Sequence, residues 1–152
     1  MKVEKIDHVH ACVKDLDGAM GFFRDVLGVE FDPVIELSDS WGVRDVRGPT
    51  GLDLIEVTDP GGKIAKEMGH IFREGICGIS LKVPDIKEAI AELESKGVKM
   101  VGPLSEFGAV RQAWFDSAKT FGVQIELCEY PGDDIAAAAG PQPGQEGWKR
   151  FE

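Results

Sequence analysis

The chain has 152 residues, 43% of them hydrophobic, and a formal net charge of −10. That is enough for one globular domain with a proper core, and the acidity argues against polyanionic partners, nucleic acid above all. No apolar run approaches a membrane span, and the start, Met1-Lys-Val-Glu-Lys5, lacks the hydrophobic core of a signal peptide, so a cytoplasmic protein with no membrane partner is expected.

The first predicted element is a strand from Lys5 that carries His8, His10 and Cys12 on one face and Val9, Ala11 and Val13 on the other. A helix should follow directly. Leu16, Ala19, Met20, Phe23, Val26 and Leu27 recur at helical spacing and Gly28 closes them. The helix covers the apolar face of the strand, which leaves the histidine face open for chemistry. Three further strands are predicted at Val29 to Glu36, Gly42 to Val46 and Leu52 to Val57, separated by turn-rich clusters. A break at Asp59-Pro-Gly-Gly62 and a short helical piece from Lys63 to His70 make up a linker over residues 59–74.

At Gly75 the opening pattern returns. Gly75 to Ile86 matches Lys5 to Leu16 at a spacing of 70 residues, with Val83 on Val13, Asp85 on Asp15 and Ile86 on Leu16. Asp85 with Glu88 three residues on is a capping box, and Gly97 ends the second helix. Strands are predicted around Lys99 to Val101, Val110 to Phe115 and Val123 to Cys128. The chain thus reads as two tandem βαβββ units, 4–58 and 75–130, in a single domain over residues 1–130. Residues 131–152, rich in Gly, Pro and Ala, read as a tail in which Trp148 and Phe151 could dock but which is expected to stay undocked. The odd number of cysteines (Cys12, Cys77, Cys128) argues for reduced thiols.

A duplicated βαβββ unit with His on its first strand and Glu on its last resembles the vicinal oxygen chelate (glyoxalase/bleomycin resistance/dioxygenase) superfamily, over residues 4 to 131. Ile6-Asp-His-Val9 and Phe23-Arg-Asp-Val-Leu-Gly28 are phrases shared across that group. Asp53-Leu-Ile-Glu-Val-Thr-Asp-Pro60 and Val123-Gln-Ile-Glu-Leu-Cys-Glu-Tyr-Pro131 are more similar to its methylmalonyl-CoA epimerase branch. The resemblance implies an α+β fold whose mixed sheet curls into a cleft. It puts a divalent metal (cobalt, zinc, nickel, manganese or iron) on His8, Asp53 and Glu126. Glu56 competes with Asp53 but faces the opposite side of its strand. Gly78 stands where the family carries its second histidine ligand, which puts the metal in question; His10 and His70 are the substitutes on offer.

The activity implied is proton movement at a carbon alpha to a carbonyl. It needs two acid/base groups and an electrophile for the enolate. By resemblance Glu126 is one base and Asp45 the other. His10, Cys12, Cys128 and Lys82 are further cleft residues, and Arg44, Arg47, Lys82 and Arg111 are the cations within reach of an acyl-CoA substrate. The alternatives are a metal-free, resistance-type protein that binds a small molecule, using Trp41 or Trp114, and a metal-independent lyase or isomerase on the same residues. A ring-cleaving dioxygenase ranks last, because its two-histidine, one-carboxylate set is incomplete. By analogy the partner is a second copy, in a homodimer.

Overall fold

The computed structural model describes residues 1–68 and 73–149; His70 and Phe151 lie outside the described residues. Strand β1 (Lys5–Cys12) leads into α1 (Leu16–Leu27), then β2 (Ile35–Leu37), β3 (Val43–Val46) and β4 (Leu52–Val57). The linker helix α2 spans Lys63–Met68. The second repeat runs β5 (Gly75–Lys82), α3 (Ile86–Ser95), β6 (Met100–Phe107), β7 (Val110–Phe115) and β8 (Gln124–Glu129), and α4 (Ile135–Ala139) follows. The fold class is α+β, as the repeat predicts, with β5 and β8 parallel and the β2/β3, β3/β4, β6/β7 and β7/β8 pairs antiparallel.

Two compact units form, and their boundary does not follow the repeats. One comprises Met1–Val9 with Gly78–Gly140; the other comprises His10–Cys77 with Pro141–Glu152. Strand β1 therefore begins in the first unit, where the Glu4 N–H donates to the Lys82 carbonyl at 2.8 Å, and ends in the second, where the Val13 N–H donates to the Ile55 carbonyl at 2.9 Å.

In the first unit the strand order is β1-β5-β8-β7-β6. Its core gathers Val83 just after β5, Ile86 and Ala89 at the start of α3, Ala113 and Phe115 of β7 and Leu127 of β8. Asp85 caps α3 by accepting the Glu88 N–H at 2.9 Å, and Glu129 on β8 accepts the Ile86 N–H at 2.8 Å. Two donors that the helix itself cannot satisfy are thus met. Replacing Asp85 by alanine should cost about 1 kcal/mol, read as a lower urea midpoint with an unchanged slope.

In the second unit the order is β2-β3-β4-β1. Ala11, Leu16, Val46 and Leu54 form its core, with Ala19, Met20 and Phe23 of α1 packed on them, the stripe the sequence marks out. Asp15 caps α1 through the Gly18 N–H at 3.0 Å, and Gly28 ends it in a left-handed conformation, φ 70°.

Two strands depart from expectation. β2 is three residues long rather than a run from Val29, since Pro33 has no N–H for a ladder and the Asp32 N–H goes to the Arg47 carbonyl instead. β6 continues to Phe107 because a register shift between Val101 and Ser105, at Gly102-Pro103, lets pairing with β7 resume. Residues 131–143 of the tail are docked rather than loose: Ala139 is buried against Val110, Cys128 and Tyr130, and further on the Pro143 carbonyl accepts the Glu36 N–H. No helix among the described residues is long and apolar enough to cross a membrane.

Candidate active site

In the first unit the parallel register sets Ser80 beside Glu126 and Lys82 beside Cys128, while β7 places Gln112 opposite Cys128. Glu126 is only 1% exposed. Its Oε1 accepts the Ser80 hydroxyl at 2.7 Å and the Gln112 amide at 3.0 Å. Such bonds offset the cost of burying a carboxylate. His8, also buried, brings Nε2 to 3.5 Å from the same oxygen.

The other ring nitrogen of His8 is held. Nδ1 lies 2.7 Å from Asp7 Oδ2, and because a carboxylate only accepts, Nδ1 carries the proton of that bond while Nε2 is the nitrogen turned towards Glu126. Asp7 is itself tied at its second oxygen by the Tyr130 hydroxyl, with Lys5 Nζ 3.5 Å away. Burial opposes the Asp7 charge, but the bonds from His8 and Tyr130 outweigh it and hold the carboxyl below its ordinary range. The Tyr130 hydroxyl is pushed up, first by burial and then by its bond to Asp7. Strict alternation puts Asp7 on the face opposite His8, so a strand pattern passes over it; the available signal is an acid next to a histidine in Ile6-Asp-His-Val9.

An imidazole nitrogen and a carboxylate oxygen side by side, with the far imidazole nitrogen anchored on a second carboxylate, make a ligand set that fits a divalent cation. His8 and Glu126 supply it, and His10, two residues along β1 and buried, is the next histidine on that strand.

Lys82 is buried at 7%, lies 4.1 Å over the Tyr130 ring and donates to the Gly132 carbonyl. Cys128 is fully buried and its thiol is pushed up to about 12, chiefly by burial, which disqualifies it as a nucleophile at neutral pH. Arg111 pairs with Glu106 and Glu129.

In the second unit Asp53 is 3% exposed and accepts the Gly48 N–H at 3.3 Å, whereas Glu56 pairs with Arg44 at 3.3 Å. Asp45 is half-buried on β3, opposite Ile55. Arg44 is also engaged by Asp17 and Glu36. The Cys12 thiol donates to Cys77 Sγ at 2.9 Å and is pushed up by that bond and by burial; all three thiols are free.

Gly78 has a reason of its own. A Cβ there would lie 2.7 Å from the Gln124 carbonyl oxygen and 2.9 Å from Gln124 Cβ. The parallel β5/β8 contact is too close for any side chain at that position, histidine included.

Tandem βαβββ repeats, with a buried His on the first strand and a buried Glu on the last, place the chain in a definite class of α+β protein. The chain belongs to the Glyoxalase/Bleomycin resistance protein/Dioxygenase superfamily, whose model matches residues 5–127. It is similar to the mitochondrial methylmalonyl-CoA epimerase of Mus musculus, 28% identical over 111 residues, and to that of Homo sapiens, 25% identical over 108. These matches take in 71% and 69% of this chain but only 62% and 61% of the relatives. Among solved structures, methylmalonyl-CoA epimerase from Mycobacterium tuberculosis is 28% identical, with a TM-score of 0.68 over 86% of this chain and 90% of that one. A methylmalonyl-CoA epimerase in complex with methylmalonyl-CoA and NH4+ aligns at a TM-score of 0.71 over 92% of this chain and 100% of its own, with 24% identity.

Proposed function

We propose that the protein is an isomerase that moves a proton at the carbon alpha to a thioester carbonyl, with methylmalonyl-CoA as its substrate. The observation that carries this is Glu126: a buried carboxylate, oriented by Ser80 and Gln112, with the His8 ring beside it. The epimerases similar to this chain support the substrate class.

In this reading the ionised Glu126 carboxylate takes the α-proton. Asp45 is the second acid/base group, which returns one to the opposite face of the carbon. Ser80 and Gln112 hold Glu126 in a single orientation while it does so. His8 and Glu126, with His10 and Asp53 as further donors, would hold a divalent ion, whose chemistry is to act as electrophile for the enolate oxygen. A homodimer, to be checked by light scattering, completes the proposal.

One observation favours a second reading, in which the same residues transfer protons without an ion: the space at Gly78 is closed to a second histidine.

The test is deuterium incorporation at the α-carbon of methylmalonyl-CoA in D2O, followed by mass spectrometry, on protein assayed as purified and after cobalt loading. Exchange only after loading supports the metal reading, and exchange in both states supports the second. No exchange in either state overturns both.

A further inference from the structure

The superfamily model ends at residue 127, yet the hydrogen bonds around His8 continue past it. Tyr130 is the first link. It is 5% exposed, its ring packs with Val110, Cys128 and Ala139, and its hydroxyl donates to Asp7, whose other oxygen holds His8 Nδ1 at 2.7 Å.

The segment after Tyr130 is built to keep that ring in place. Asp134 caps α4 through the Ala137 N–H at 3.1 Å, and the Ala109 N–H donates to the Ala138 carbonyl at 2.8 Å. The arm lies so close to the β6/β7 turn that a Cβ at Gly108 would come within 2.3 Å of the Ala139 carbonyl oxygen. Lys82 closes the other side, over the ring and bonded to the Gly132 carbonyl.

We infer that the C-terminal arm, residues 131–140, acts through Tyr130 and Asp7 as a positioning device for His8, holding the ring by Nδ1 and so turning Nε2 towards Glu126. This rests on the reading of His8 and Glu126 as the reactive pair. Tyr130 is a positioning residue here, since it reaches His8 through Asp7. The physical reason is that a bonded partner on one ring nitrogen sets the tautomer and the ring angle at the other.

The experiment is proton NMR of the metal-free full chain, following the downfield His8 Nδ1–H resonance, which is assigned by its loss in His8→Gln. Asp7→Asn should abolish or displace it. Tyr130→Phe, which keeps the ring and removes only the hydroxyl, should speed its exchange with water by about tenfold and weaken cobalt binding by about tenfold, the lower end for an outer-shell contact. Gly108→Ala, which forces the arm away without touching any site residue, should do the same. A resonance unchanged in either Tyr130→Phe or Gly108→Ala, in protein that melts like the parent, overturns the inference. Because the resonance is read without metal, a parent that binds no cobalt counts against the metal reading alone.

Discussion

Glu126→Gln is expected to lower α-proton exchange by about 10²–10⁴-fold, the usual share of a general base, while leaving the protein folded. The amide keeps an oxygen that can accept from Ser80 and Gln112, so both buried donors stay satisfied. What is lost is the basicity. The proper measurements are deuterium incorporation at saturating substrate and, in parallel, far-UV circular dichroism with a thermal melt. A variant that folds normally and exchanges at the parental rate would remove Glu126 from the mechanism and leave His8 as the candidate base. If KM rose alone, with kcat unchanged, the role of Glu126 would be binding rather than proton transfer.

Gly78→His is expected to destabilise the protein by about 3 kcal/mol, the upper part of the range for overpacking, and not to strengthen metal binding. A comparison with the family suggests the reverse, that restoring the second histidine restores the site. Local packing argues against it: the first side-chain carbon already collides with the Gln124 backbone, and relief would need β5 and β8 to separate along a register running from Gly78↔Gln124 to Lys82↔Cys128. Ser80 and Glu126 lie within that register, so the cost extends to the site. Gly78→Ala should show a smaller loss of the same sign. Urea denaturation of both variants, with cobalt titration of each, checks this. A Gly78→His protein that is as stable as the parent and binds cobalt more tightly would show that the strands can part.

Patterns that repeat at short range were legible from the sequence. The alternation in β1 that sets His8, His10 and Cys12 apart from Val9 and Ala11, the α1 stripe ending at Gly28, the Asp15 and Asp85 caps and the spacing between the two repeats all depend on residues a few positions apart. Backbone geometry converts such spacing directly into faces and ends. The choice of His8 and Glu126 as neighbours was legible only through resemblance, and the structure gives it a distance of 3.5 Å.

The short β2 and long β6 follow from prolines whose effect depends on where neighbouring strands offer partners. The tail was misread for a related reason: alanine, glycine and proline say little by composition, and α4 is held by a buried surface, Val110 on β7, Cys128 on β8 and Tyr130 just after it, that lies outside the tail.

The sequence by itself thus determined the two βαβββ units, their amphipathic helices and the strand faces on which His8, Cys12 and Glu126 stand. Only the tertiary structure decided what surrounds those residues: Asp7 and Tyr130 behind His8, Ser80 and Gln112 on Glu126, and a Gly78 with no room for a side chain. Tyr130 meets Asp7 across 123 positions and Ser80 meets Glu126 across 46, separations that no local periodicity encodes. A hydrogen bond requires its partners to be about 3 Å apart, and between residues so distant in the chain that closeness is created by strand register and packing.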